Sequence, residues 1–246
     1  MPTPWESLIA LAITLIALFF LNDWIGRHIQ GVGLLLTGHS EGSMVLTWLL
    51  LLPGVALHEV SHWVVAKVLG LRPSRLRLWP ERRGKMMRMG FVDFRAGGAL
   101  RDSLVGVAPF VSGCAALLWI ATRVFGLDGQ MGWGGALAAI QRNSSHADIW
   151  LYTYLIFAIS NGMMPSASDR QPWGGLLLYV GAVGISLYVL ELLPAVPPDL
   201  AAAFIRFTQM LTYALALAVA VDLVVALAIG GMELALSALQ RQRVRY

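Results

Sequence analysis

Long apolar runs, rather than short amphipathic repeats, dominate the pattern of hydrophobic and polar positions along the chain. A helix needs roughly 20 apolar residues to cross the hydrocarbon core of a bilayer. Six runs of about that length occur. The pattern therefore predicts an all-α, polytopic membrane bundle of about six transmembrane helices. The runs cover about residues 5–25, 43–71, 103–125, 149–164, 173–193 and 204–229.

Basic residues distinguish the two sides of the predicted bundle. Nine of the 18 Lys and Arg residues fall between the second and third apolar runs, and cytoplasmic loops of membrane proteins carry such an excess. Residues 241–246 add three arginines and no acid. With six spans, both clusters lie on one side, which predicts cytoplasmic N- and C-termini and outward-facing segments at 22–42 and 126–148. The nine cations are Arg72, Arg75, Arg77, Arg82, Arg83, Lys85, Arg88, Arg95 and Arg101.

The basic loop contains two short segments that alternate polar and apolar side chains. Residues 75–79 and 88–95 follow a period of two, which is typical of strands. Pro80 and the turn-forming Gly84 lie between them. We therefore expect a small cytoplasmic-side β-hairpin after the second helix. The alternative is an irregular basic loop that only sets the topology and holds anionic headgroups.

Composition supports the membrane assignment and limits the possible chemistry. Hydrophobic residues make up 57% of the 246 positions and charged residues 13%, whereas soluble domains have about 25% charged residues. This excludes a soluble enzyme, a disordered chain and a nucleic-acid binder. Cys114 is the one cysteine, so a metal site must use His and carboxylates. We expect one domain, residues 1–246, with a core at about 43–194 and accessory helices at 5–25 and 204–230.

The second apolar run contains the ionisable pattern His58-Glu59-Val60-Ser61-His62. Residues four apart share one face of a helix, so the two imidazoles can bind the same ion. Histidine nitrogens are common ligands of zinc. Glu59 then lies beside the metal and can take a proton from its bound water. The alternative is that these side chains only satisfy one another. Each ionisable group costs about 2.5–3.5 kcal/mol within a spanning helix, which favours a functional role.

A catalytic zinc site needs a third protein ligand, and Asp169 is the candidate. Asp169 follows the fourth run in a stretch that Gly162, Pro165 and Pro172 should break, and broken backbone at membrane depth occurs where it lines a cavity. The alternative is an ordinary aspartate that caps a helix. The other candidates fall on the outer side in the predicted topology: His28, His39, His146 and Asp148.

These motifs resemble the site-2 protease family of intramembrane zinc metallopeptidases. The resemblance implies one Zn²⁺ ion held by His58, His62 and Asp169, with Glu59 as general base. Asn161, eight residues before Asp169, matches the family asparagine that orients the substrate or the oxyanion. Met164 and Arg170 stand where the family usually has proline and glycine, and Arg170 could pair with Asp169. Segment 106–112 is loosely similar to the family's third helix, and the edge at 88–95 implies substrate-binding positions Arg88, Gly90, Val92 and Phe94.

The resemblance implies an intramembrane zinc metalloendopeptidase that cleaves a membrane-protein substrate near the cytoplasmic face. We expect a multi-pass protein of a bacterial plasma membrane, in contact with the bilayer and with membrane-complex subunits as further possible partners, and without nucleic acid. One alternative is a zinc-binding, non-proteolytic accessory subunit of a membrane complex. Another is a metal transporter, which needs a second ion site.

Asp222 is an isolated acid within the sixth run. An intramembrane carboxyl group often marks a proton pathway or a partner contact. A hydrogen bond from Ser or Thr on a neighbouring helix explains it equally well.

Overall fold

The computed structural model describes residues 4–83, 86–88, 90, 92–145, 147–191 and 197–240. Helices dominate this part of the chain, and two three-residue strands lie between the second and third helices. The helices are α1 (Pro4–Thr37), α2 (Ser40–Val68), α3 (Ala99–Arg123), α4 (Trp133–Asn143), α5 (Ile149–Gly162), α6 (Ala167–Arg170), α7 (Trp173–Val189) and α8 (Pro198–Gln240), and the strands are β1 (Glu81–Arg83) and β2 (Met86–Arg88).

Five helical segments of the described chain are long and apolar enough to cross a membrane, which indicates a multi-pass membrane protein and confirms the all-α bundle. The predicted number of six spans is not reproduced. α5, the fourth predicted span, has 14 residues and is therefore about 21 Å long, shorter than a hydrocarbon core of about 30 Å. The five segments are Trp5–Thr37, Ser40–Val68, Ala99–Arg123, Ala167–Val189 and Pro198–Gln240.

The predicted outward-facing segment 22–42 is not a loop. α1 continues through it to Thr37, and α2 begins at Ser40 after a turn at Gly38, whose φ is +75°. Asp23 and Arg27 are exposed, whereas Asn22 faces α5. Ile25, Ile29 and Val32 repeat at helical spacing and pack in a buried cluster with α2 and α8. Tertiary packing of this stripe therefore extends the helix beyond the apolar run.

The predicted hairpin between residues 75–79 and 88–95 does not form. Among the described residues, β1 and β2 pair antiparallel nearer the turn, with Glu81 opposite Arg88. Residues 75–79 have one isolated bridge, at Arg77, and residues 89 and 91 lie outside the described part. Extended backbone at 93–95 does lie beside 71–74: Ser74 N–H donates to the Asp93 carbonyl at 2.7 Å and Arg95 N–H to the Leu71 carbonyl at 3.0 Å.

The main hydrophobic core joins α1, α3, α5 and α8. Leu18, Leu117, Ile156 and Leu215 are each at most 1% exposed and lie at its centre. α4 packs against it through Ala136 and Ala139. α7, in contrast, has no buried residue. The C-terminal half of the short helix α5 is thus buried, and its C-terminal end lies against the His-bearing part of α2.

Candidate metal centre

His58 and His62 lie one turn apart on the same face of α2, as their spacing predicts. Their Nε2 atoms are 3.0 Å apart, and the two rings stand nearly perpendicular, with an interplanar angle of 82°. His62 is buried and His58 is half-buried. The two ring edges therefore point at a common position.

The His58 ring is oriented by the end of α5. His58 Nδ1–H donates to the carbonyl of Gly162 at 2.8 Å. Gly162 is the last residue of α5, where the carbonyl groups have no partner within the helix. The two helices approach closely enough because Gly54 and Gly162 face each other, and a Cβ at Gly54 would clash with the Ala158 carbonyl.

The His62 ring is oriented by a carbonyl group in the middle of α3. His62 Nδ1–H donates to the Val105 carbonyl at 2.8 Å. In an uninterrupted helix that carbonyl would accept from the residue four positions later, but this residue is Pro109, which has no N–H. Pro109 therefore leaves the Val105 carbonyl available to His62.

Asp169 completes the cluster from α6. Its Oδ1 lies 3.2 Å from His62 Nε2 and its Oδ2 lies 3.6 Å from His58 Nε2. The same carboxylate accepts from Ser166 N–H at 2.8 Å and Ser166 Oγ–H at 2.6 Å, which forms a capping box for α6. Asp169 is therefore a member of the cluster, and it is the third residue of α6 rather than an N-cap before the fifth predicted span, since Ser166 is the N-cap of α6.

Two neighbours decide how Asp169 sits. Gly106 on α3 lets the Asp169 backbone approach, because a Cβ there would clash with the Asp169 carbonyl oxygen. Arg170 turns away from the carboxylate: its guanidinium lies 6.0 Å from the Phe19 ring centroid and its Nε–H donates to the Ser166 carbonyl. Within the described residues no ion pair joins Arg170 to Asp169, so the competition that the sequence suggested does not occur.

The three side chains are close enough together to hold a metal ion. Each Nδ1 faces a carbonyl oxygen, which can only accept, so each neutral ring carries its proton on Nδ1 and a lone pair on Nε2. Two Nε2 lone pairs and a carboxylate oxygen then face each other at 3.0–3.6 Å. Acceptors at this distance repel one another unless a cation lies between them. Tetrahedral zinc with bonds of about 2.0–2.1 Å places its ligand atoms roughly 3.3 Å apart.

His58, His62 and Asp169 form the metal cluster, which lines one cavity of about 780 Å³ together with Glu59. The Glu59 side chain is buried, and a Cβ at Gly90 would lie 3.1 Å from its Oε1. Of the predicted substrate-binding positions, Gly90, Val92 and Phe94 line this cavity, while the Arg88 side chain lies outside the described part. The roles of these residues stay predictions.

Asn161 also lines the cavity, but its side-chain amide is engaged by the protein. Its Nδ2 donates to Asp222 Oδ1 at 3.0 Å and to the Phe157 carbonyl at 2.9 Å, and its Oδ1 accepts from Asn22 at 3.3 Å. Donation to a substrate would break these bonds. A catalytic role for Asn161 therefore stays a prediction.

Asp222 is fully buried and accepts a hydrogen bond from Ser160 Oγ at 3.1 Å. This confirms the interpretation of Asp222 as a carboxyl group bonded to a neighbouring helix. The contact between Asp222 and Asn161 has no local signal in the sequence, because 61 residues separate them. The roles of Gly54 and of the Val105 and Gly162 carbonyls were not predicted either. Pro109, a proline within an apolar run, was the sequence feature that could have indicated a carbonyl without a helical donor.

The histidines that the predicted topology excluded as metal ligands do not lie in the metal cluster of the described residues. His39 is the N-cap of α2, where its Nδ1 accepts from Gly42 N–H at 2.9 Å. His28 stacks on Trp24 and lies 3.9 Å from Glu233 of α8. His146 lies outside the described residues. Over the described chain, His58, His62 and Asp169 form the one group of three or more potential ligands close enough for an ion.

Comparison of the chain with protein-family models, curated proteins and solved structures returns no match.

Proposed function

We propose that this protein is an intramembrane zinc metalloendopeptidase that hydrolyses a peptide bond in or near a transmembrane segment of another membrane protein. The observation that carries the proposal is the convergence of two imidazole lone pairs and one carboxylate at distances of 3.0–3.6 Å, beside a buried glutamate. Three protein ligands leave the fourth position of a tetrahedral ion open, which is the arrangement of catalytic rather than structural zinc.

The mechanism assigns separate tasks to the chain's own residues. His58, His62 and Asp169 would hold Zn²⁺, which polarises a peptide carbonyl and activates a water molecule when bound. Glu59 takes a proton at its carboxylate and returns it to the leaving amine as general acid. The apolar helices around the cavity limit access of bulk water to the reacting peptide.

The extended segment 92–96 supports a way to hold the substrate. A helical peptide bond is shielded by its own hydrogen bonds, so the substrate must be extended before cleavage. Asp93 and Arg95 use their backbone groups to pair with residues 71–74. Because backbone groups alternate sides along an extended chain, those of Val92 and Phe94 are directed toward the opposite edge. We propose that an extended substrate adds there, as in β-strand addition, with Arg88 and Gly90 also in contact.

The membrane setting follows from the same proposal. Of the exposed arginines, Arg72 and Arg75 precede the cavity-lining segment 92–96 and Arg95 lies within it, and an excess of such residues marks the cytoplasmic side. We propose a bacterial plasma membrane, a cytoplasmic N-terminus and α2–α3 loop, and cleavage near the cytoplasmic face. Because the five spanning segments cross the membrane an odd number of times, the C-terminal end of α8 would lie on the opposite side, in place of the cytoplasmic position that six spans predicted.

Replacing Glu59 with Gln tests this function. Removing a general acid–base group typically costs 10²–10⁴-fold, so we expect cleavage of a membrane-protein substrate by the Glu59→Gln protein to fall by at least about 100-fold. Zinc content, measured by metal analysis, should stay at one ion per chain because the ligands are unchanged. His58→Ala is the matched control and should lose both. A Glu59→Gln protein that cleaves as well as the parent contradicts the proposal.

The accessory-subunit alternative rests on Met164 and Arg170, which depart from the family pattern. Met164 packs against the main core and Arg170 is directed toward Phe19, so neither residue disturbs the metal cluster. These contacts favour the enzyme. Stoichiometric recovery of the chain in a larger complex, together with zinc binding and no cleavage, would favour the alternative.

A further inference from the structure

A second buried polar cluster lies directly behind the metal centre. Asp222 on α8 has no exposed surface. Ser160 Oγ–H donates to it at 3.1 Å and Asn161 Nδ2–H at 3.0 Å. Asn22 of α1 donates to Asn161 Oδ1 at 3.3 Å and also lies 3.4 Å from the Ser160 carbonyl. We call these four residues the Asp222 cluster.

The Asp222 cluster holds the two residues that immediately precede Gly162. The Gly162 carbonyl, at the end of α5, accepts the hydrogen bond from His58 Nδ1–H. Ordered contacts therefore run from α8 and α1 through Ser160 and Asn161 to the ring of a metal ligand. α5 is a short helix whose last turn has no further helical residues to fix it, so its position depends on such contacts.

We propose that Asp222 and Asn22 are positioning residues for His58. They fix the last turn of α5, and its Gly162 carbonyl keeps the His58 proton on Nδ1 and the Nε2 lone pair directed at the metal. A carboxyl group buried in an apolar bundle requires hydrogen-bond donors. Ser160 and Asn161 supply them only when α5 lies where it does, so the requirement of Asp222 for donors becomes a restraint on the metal ligand. This inference rests on the proposed metal centre but not on proteolysis.

The alternative is that the cluster only adds stability to the α1–α5–α8 contact. Partners that orient a metal-bound histidine typically change metal affinity by 10–100-fold when they are removed. Removal of a merely structural contact lowers the melting temperature of the protein but leaves both the ring tautomer and the zinc affinity unchanged. These two readouts therefore separate positioning from stability.

The experiment uses the full chain in nanodiscs and three variants. Asp222→Leu removes the acceptor, and Asn22→Leu removes the donor to Asn161 but retains Asp222. Thr212→Val is the matched control, since Thr212 is a buried polar residue of α8 whose hydroxyl donates within its own helix, to the Thr208 carbonyl at 2.8 Å. Nitrogen NMR of labelled histidine gives the tautomer of His58 in zinc-free protein. Competition with a chromophoric chelator gives the zinc affinity, and a melting curve reports folding.

We expect the parent and Thr212→Val to show the Nδ1–H tautomer of His58 and equal zinc affinity. Asp222→Leu should show a mixture of tautomers and a zinc affinity at least about 10-fold lower, with Asn22→Leu changed in the same direction. If Asp222→Leu does not fold, Asn22→Leu decides. Folded variants with the parent's tautomer and affinity overturn the inference.

Failure of the proposed function gives a different result. A parent protein that binds no zinc, or that binds zinc and cleaves nothing, overturns part or all of that function. The tautomer of His58 in the zinc-free variants still decides whether Asp222 and Asn22 position the ring.

Discussion

Two polar clusters lie within the apolar bundle, and they differ in how their lone pairs are used. In the metal cluster, His58 Nε2, His62 Nε2 and a carboxylate oxygen of Asp169 face one another at 3.0–3.6 Å, with the ring protons already donated elsewhere. In the Asp222 cluster, both carboxyl oxygens of Asp222 accept hydrogen bonds from α5. In the metal cluster acceptors face other acceptors, whereas in the Asp222 cluster acceptors are paired with donors.

This difference separates a ligand site from a structural junction. Polar groups inside an apolar environment are costly unless they are satisfied. The Asp222 cluster meets that requirement with its own residues and can hold helices together without help. With both rings neutral, the metal cluster has no donor for its facing acceptors, and either a bound cation or a proton on one ring would stabilise it. The two clusters also differ in their access to solvent. The metal cluster lines the cavity of about 780 Å³, whereas Asp222 has no exposed surface.

The largest effect that tests this comparison is expected for Asp169→Ala. Loss of a ligand should cost more than loss of a residue that orients one, so zinc affinity measured by chelator competition should fall by more than roughly 100-fold. Asp199→Ala is the control, because Asp199 is an exposed acid in the first turn of α8. Unchanged zinc binding by Asp169→Ala would mean that the facing acceptors are not a ligand set.

A smaller effect is expected for Gly106→Ala. The new Cβ clashes with the Asp169 backbone, which must move away from the histidines, so we expect zinc affinity to fall by about 10-fold, as for other residues that orient a ligand. Gly181→Ala on α7 is the matched control, since a Cβ there meets nothing within 4 Å. Equal zinc affinities of the two folded variants would show that the position of Asp169 does not depend on this contact.

The smallest change in zinc affinity is expected for Pro109→Ala, which should lower the zinc affinity but raise the melting temperature. An interior proline costs a helix about 3 kcal/mol, so the melting temperature should rise. The restored N–H competes with His62 for the Val105 carbonyl, so zinc affinity should fall by no more than about 10-fold. Melting curves and chelator competition on the same samples measure both. A variant that gains stability and binds zinc as tightly as the parent would show that His62 does not need this carbonyl.

Local patterns predicted those features that depend on neighbouring residues in the chain. The helices at α2, α3 and α8 follow from long apolar runs, and the shared face of His58 and His62 follows from the helical repeat. The broken stretch around Asp169 indicated a residue that lines a cavity, and Asp169 does line the cavity beside the histidines. The extension of α1 to Thr37 was missed because polar side chains interrupt the apolar run there, although packing of Ile25 and Ile29 continues the helix.

Pairing between distant segments was the other source of error. Residues 75–79 have the alternation of a strand but form none, and the strands that do pair, β1 and β2, lie nearer the turn. The apolar run at α5 indicated a spanning helix, but α5 has 14 residues, and only its C-terminal half is buried among the other helices. A period shows which face of a segment is apolar, but it does not show which segment will cover that face.

The sequence by itself determined the class of protein, the helical bundle and the two-histidine motif, since composition and helical period act over short stretches of chain. Only the tertiary structure decided how His58 and His62 are used. The carbonyl of Gly162 lies 104 residues from His58, that of Val105 lies 43 residues from His62, and Asp169 arrives from a third element. Each ring proton is donated to a carbonyl that a helix end or a proline leaves without a partner, and this turns both Nε2 lone pairs toward the same carboxylate.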